Sequence, residues 1–163
     1  MRTGKTRGHS GFSLIELLLV VAILLIISAI AVPNFLRARI AANQSSAVQS
    51  LRTVTTAQVT YAMMFSGGYA DTMAKLGGDP STPVTANSAK IIDSSLGCAT
   101  EPCKRGGYKF FIESTSGAPV TEYKAVAIPV SRGSSGVNGY CSSQENSLRM
   151  DDLGGTNCTA TIN

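Results

Sequence analysis

The chain of 163 residues has no tryptophan and a single histidine, His9. A histidine-based catalytic triad or a multi-histidine zinc site has almost nothing to be built from. There is no G-x-x-x-x-G-K-[ST] phosphate loop and no G-x-S-x-G nucleophile elbow. Acidic residues are missing between Glu16 and Asp71, and aromatic residues between Phe12 and Phe35. Glycine and proline are missing from Phe35 to Phe65. Arg37, Arg39 and Arg52 therefore have no nearby acid in sequence. No aromatic side chains interleave with them, as stacking on single-stranded nucleic acid would need, so no specific nucleic-acid partner is expected. Solvation, anionic lipid headgroups or acids on neighbouring copies are the partners left for these arginines.

What is present is concentrated at the N-terminus. Met1 to Gly11 carries Arg2, Lys5 and Arg7 and no acid. Phe12 to Val32 is then apolar apart from one charge, Glu16. A helix needs roughly 20 apolar residues to cross a bilayer, so this run is long enough. An ionised acid costs about 2.5–3.5 kcal/mol at mid-membrane, and less near the end of the span where Glu16 lies. The carboxylate suits such a segment if it later meets a positive charge. An ordinary secretory signal, cleaved after Ala29-Ile30-Ala31, is the plain alternative. Two features oppose it. The apolar run exceeds the ~7–15 residues of a signal h-region, and a helical pattern continues past the cut.

Gly11-Phe12-Ser13-Leu14-Ile15-Glu16 followed by the apolar run resembles the processing site of type IV pilins and of type II secretion pseudopilins. The resemblance covers Gly11 to about Tyr61. It implies cleavage between Gly11 and Phe12 by a prepilin peptidase that also methylates the new amino terminus of Phe12. It makes Glu16 the assembly glutamate, meeting the amine of a neighbouring subunit, and Pro33 a helix-interrupting proline. It implies a structural subunit rather than an enzyme, with no cofactor and no metal. That subunit would be a type IV pilus protein serving adhesion or twitching motility. A pseudopilin of type II secretion, or a minor or DNA-uptake pilin, is the alternative. The implied partners are further copies of the chain, the peptidase and N-methyltransferase, and an inner-membrane assembly platform with its ATPase. The implied location is the inner membrane, with the N-terminus cytoplasmic and the C-terminal domain periplasmic, and then the surface pilus. Conduction through aromatics has no relay within one subunit, because Phe12 and Phe35 would lie about 35 Å apart along a helix. Removal of residues 1–11 would also remove His9 and three of the fourteen basic residues, so the pI near 9.0 belongs partly to that segment.

Beyond the apolar run, Leu36, Ile40, Ala47, Leu51, Val54, Ala62 and Phe65 recur at helical spacing. Asn43, Ser46, Gln49, Ser50, Thr53, Thr56 and Thr60 mark the opposite, polar face. A straight helix from Phe12 to Phe65 would span about 80 Å. Ser66-Gly67-Gly68 closes it, and Gly77-Gly78-Asp79-Pro80 and Thr82-Pro83 signal turns. A short helix is expected over 88–95. Strands are expected over 108–112, 122–130, 139–142 and 147–150. The expected fold is α+β: a long N-terminal helix, membrane-spanning then amphipathic, on an antiparallel sheet of three to four strands. The expected regions are 1–11, 12–33, 34–66, 67–106 (an αβ loop) and 107–163.

Cys98, Cys103, Cys141 and Cys158, in an exported chain, suggest two disulfides. Of the three pairings, the reading favours Cys98–Cys103 and Cys141–Cys158, the latter like the disulfide-bounded C-terminal loop of many pilins. The C-x4-C and C-x16-C spacings speak against a four-cysteine zinc site. Asp151-Asp152 falls short of the six to eight oxygen ligands that calcium takes, and is read as a solvated turn.

Overall fold

The computed structural model describes residues 12–65, 67–79 and 81–162. The segment 1–11 with the cleavage position Gly11, the cap residue Ser66 and the turn residue Pro80 lie outside the described residues. Contacts divide the chain into two units, which meet between Arg37 and Ala38. One helix, α1 (Leu14–Met64, 51 residues), contributes to both.

The first unit is the apolar start of α1. Every side chain from Phe12 to Arg39 is exposed in the isolated chain. Pro33 lies inside α1, which runs on past it. Proline supplies no N–H, so the carbonyl of Ala29 lacks its usual donor, but one missing bond does not end a helix with turns on both sides.

In the second unit, α1 ends at Gly67, which takes φ +88° and donates its N–H to the Ala62 carbonyl at 2.8 Å. That is a left-handed glycine cap, open to any residue only at a steric cost. A four-residue helix, α2 (Met73–Leu76), follows. The sheet then runs β1 (Cys103–Arg105), β2 (Tyr108–Ser116), β3 (Glu122–Pro129), β4 (Gly139–Ser143), β5 (Leu148–Asp151) and β6 (Ala160–Thr161). All six strands pair antiparallel in sequence order. The sheet thus has six strands rather than three to four. The additional strands are the two short edges, and β1 lies within the stretch expected to be loop.

Register assigns the faces. Phe110 sits opposite Ala127, Ala127 opposite Tyr140, and Tyr140 opposite Met150. These residues, with Tyr108, Tyr123 and Ala125, pack with Ala47, Leu51, Val54, Ala57 and Tyr61 of α1. The intervening residues Lys124, Val126, Cys141 and Arg149 point to the other face, since successive strand residues alternate. A bulge between Ile112 and Ser114 leaves Glu113 unmatched in the ladder, and its carboxylate pairs with Lys124.

One correction concerns the polar face and one a helix. Ser50, read as part of the polar face, is buried, and so are Thr55 and Gln58. Gln58 donates from Nε2 to the Ala70 carbonyl at 2.9 Å and accepts from the Ala70 N–H at 2.8 Å, so its amide acts as a strand partner. The segment 88–95 is not helical. Its backbone is drawn off to the end of α2: Ala89 donates to the Lys75 carbonyl, and Ile91 to that of Leu76. Ala89, Ile92 and Leu96 join Met73 and Leu76 in the core.

The core is rich in tyrosine, and this sets its alkaline limit. Burial raises the phenol of Tyr123 to about 12 and raises those of Tyr61, Tyr108 and Tyr140 as well. Between the unfolded value near 10 and these folded values, the folded chain holds more protons than the unfolded one. Stability is therefore complete below about pH 10 and falls as pH rises through 12. Thermal melts should show a steady loss of melting temperature over that window. A melting temperature that stays constant between pH 10 and 12 would contradict this.

Candidate functional site

Two regions carry the residues singled out by sequence: the start of α1, and the C-terminal region closed by a disulfide. Each lies within one of the two units.

At the start of α1, the Leu17 N–H donates to the Ser13 carbonyl at 3.2 Å, and Glu16 lies in the first helical turn. A carboxylate there interacts favourably with the positive end of the helix, by about 0.3–1 kcal/mol. That modest effect is its only evident structural use. Glu16 is exposed and has no ion pair among the described residues. The next cation in the described chain is Arg37, about 30 Å further along the helix axis at 1.5 Å per residue. Among the described residues no cation lies within reach of Glu16. Around it Phe12, Leu14, Ile15 and Leu18 are largely exposed. The helix is apolar all round and unburied along an 18-residue window long enough to cross a membrane. Residues 6–32 match the family described as the prokaryotic N-terminal methylation motif. The start of α1 therefore carries a prokaryotic N-terminal methylation motif.

A stretch of 53 residues is 45% identical to the type IV major pilin protein PilA of Myxococcus xanthus strain DK1622. That stretch is 32% of this chain and 24% of that pilin, so the chain matches about a quarter of its relative's length. No solved structure matches the chain. The pilin-type segment thus accounts for the start of α1, and the outer unit is known from its own geometry.

In that unit Cys98 is bonded to Cys103 and Cys141 to Cys158. The first bond closes the loop entering β1, where Cys103 is buried beside Phe110. The second lies on the sheet face away from α1 and ties β4 to the segment before β6. A loop of this length, 17 residues, gains roughly 3 kcal/mol in the chain-entropy model. Inside it, Asp151 is buried rather than part of a solvated turn. Its carboxylate accepts from the N–H groups of Leu153 at 2.8 Å and Asn157 at 3.0 Å. Both oxygens are occupied by backbone, and no group of three or more metal-ligating side chains occurs among the described residues. The loop also lies directly on Gly139, where an added Cβ would come within 2.0 Å of the Gly155 carbonyl.

Sequence reading missed two structural anchors. The Glu101 carboxylate accepts from the Met73 N–H, at the start of α2, and from the Ile112 N–H at 3.2 Å. Asp151 was seen only as a weak cation ligand. Its spacing to Gly154, a turn glycine at φ +74°, was the available signal.

Proposed function

We propose that this chain is the structural subunit of a type IV pilus, cleaved after Gly11, N-methylated at Phe12 and polymerised through the first part of α1. One observation carries the reading: a methylation motif leads into a helix apolar on every side, with one carboxylate in its first turn that has no ion pair among the described residues. Such a surface is satisfied by lipid before assembly and by other copies afterwards. Glu16 then meets the amine of Phe12 on a neighbour, and each charge lowers the cost of burying the other. The prepilin peptidase, and an assembly platform with its ATPase, act on the membrane-held form. In that form the N-terminus is cytoplasmic and the outer unit periplasmic. Adhesion or motility belongs to the finished fibre. A subunit of this kind needs no catalytic residues. A type II secretion pseudopilin shares the pilin-type segment; the closed Cys141–Cys158 region favours the pilin.

The experiment is intact mass and N-terminal sequencing of the protein from surface fibres and from the cell envelope. The expected result is a chain beginning at Phe12 with one added methyl group, present in fibres. A chain beginning at Val32 would mean ordinary secretion and end the reading. A methylated chain confined to the periplasm would transfer it to the pseudopilins.

A further inference from the structure

In the first unit, Ile23, Ile27, Ile30, Asn34 and Arg37 follow one another along α1 at alternating spacings of four and three. Residues so spaced share one face of a helix. The three isoleucines are half or more exposed in the isolated chain, and Asn34 and Arg37 are exposed as well. The stripe is thus apolar along most of its length and ends in hydrogen-bond donors. Asn34 offers an amide, and Arg37 a guanidinium whose fork of N–H groups fits a phosphate. Arg37 has no ion pair among the described residues, and the sequence holds no acid between Glu16 and Asp71. Depth supplies a second observation. From Glu16 to Arg37 the helix rises about 31 Å at 1.5 Å per residue. The hydrocarbon core of a bilayer is about 30 Å thick. With Glu16 at one boundary, Arg37 stands in the headgroup layer of the other.

We propose that Asn34 and Arg37 bind the phosphate of an anionic phospholipid, with one of its acyl chains lying along Ile30, Ile27 and Ile23. The inference rests on the membrane-held form described above and names the lipid that this form takes. Depth and charge select the occupant. In a bilayer, lipid phosphates surround the helix at the level of Arg37. A second copy in the same orientation carries its Glu16 at the opposite boundary, about 30 Å away, so that carboxylate is out of reach. No acid stands on the stripe to pair with the ammonium of a zwitterionic headgroup, so a headgroup with net negative charge is preferred. A free phosphate ion offers the same oxygens and leaves the isoleucines uncovered. The length of apolar stripe behind the donors is what fits the site to a lipid.

The test is native mass spectrometry of the full chain released from lipid nanodiscs that hold equal amounts of phosphatidylglycerol and phosphatidylcholine. The expected result is a phosphatidylglycerol adduct enriched about fivefold over phosphatidylcholine, the scale of one basic residue near an anionic surface. Arg37→Gln is expected to bring the ratio close to one, and Arg37→Lys to retain part of it by keeping the charge without the fork. Arg149→Gln, at an exposed arginine of the outer unit, is expected to leave the ratio unchanged. Added inorganic phosphate should not displace the lipid. Equal adducts from the wild type, or full enrichment in Arg37→Gln, would overturn the site while leaving the membrane-held form intact. Displacement by inorganic phosphate would make it an ion site and overturn the lipid. Equal adducts from a chain released as a dimer, with the dimer lost in Arg37→Gln, would assign the arginine to a carboxylate of a second copy instead. A wild-type chain that does not enter the nanodiscs would overturn the membrane reading itself.

Discussion

Glu16→Ala is expected to leave export and processing intact and to reduce fibre assembly by two orders of magnitude or more. The substitution removes a charge that opposes membrane insertion, so the subunit should enter the bilayer at least as well as before. The helix loses only the small interaction between a first-turn carboxylate and its own dipole, about 0.3–1 kcal/mol. Burial in a filament is different. There the methylated amine of a neighbour would sit in an apolar core without its counter-charge. Breaking one partner out of a buried ion pair costs about 3–5 kcal/mol, which is a factor of hundreds or more in each subunit contact. Fibre counts by electron microscopy, alongside the mass of membrane-held subunit, measure both sides of the statement. Wild-type fibre numbers from this variant would reduce Glu16 to a helix-end residue. Glu16→Gln separates charge from shape: it should assemble as poorly as Glu16→Ala if the charge is what matters.

Gln58→Ala is expected to destabilise the outer unit by about 2–5 kcal/mol. Gln58 and Ala70 are both fully buried, and the side-chain amide satisfies both backbone groups of Ala70. Without it a buried N–H and a buried carbonyl lose their partners, each costing roughly 1–3 kcal/mol. For a unit of this size that corresponds to a fall in melting temperature on the order of 10 °C. Gln58→Met fills the space without the hydrogen bonds, so it should recover little of the loss. The consequence extends to assembly, because Ala70 leads into α2 and the segment 88–92 that pairs with its end. A melting temperature within 2 °C of wild type for Gln58→Ala would show that water replaces the amide. Together with the alkaline melt, these variants divide the chain's properties into folding of the outer unit and contact between copies.

The N-terminal segment was legible because its information is one-dimensional. A run of apolar residues long enough to cross a membrane, one carboxylate near its start and a short motif before it need no partner in space to be recognised. The stripe of Ala47, Leu51 and Val54 was legible for the same reason, since helical period alone puts these residues on one face. Four strands were visible through their aromatic and β-branched content and their glycine punctuation. The remaining strands were not. Cys103-Lys104-Arg105 has no strand pattern, and it becomes β1 because Phe110 and the Cys98–Cys103 bond hold it against β2.

Tertiary structure also decided which polar residues are inside. Ser50 and Asp151 read as surface and are buried, as is Gln58; the backbone of Ala70 pairs with Gln58, and the N–H groups of Leu153 and Asn157 in its own loop pair with Asp151. The stretch 88–95 has the look of a short helix and is not one, because the N–H groups of Ala89 and Ile91 go to the end of α2 and the residues from Asp93 on form a turn. A short helix gains little by itself, so an external acceptor outcompetes it. The sequence by itself determined that this chain has an apolar helical arm with an acid near its start. Only the folded outer unit decided where Gln58, Asp151 and the buried hydroxyls lie. Their positions depend on strand register and on the α1–sheet packing, which no local pattern encodes.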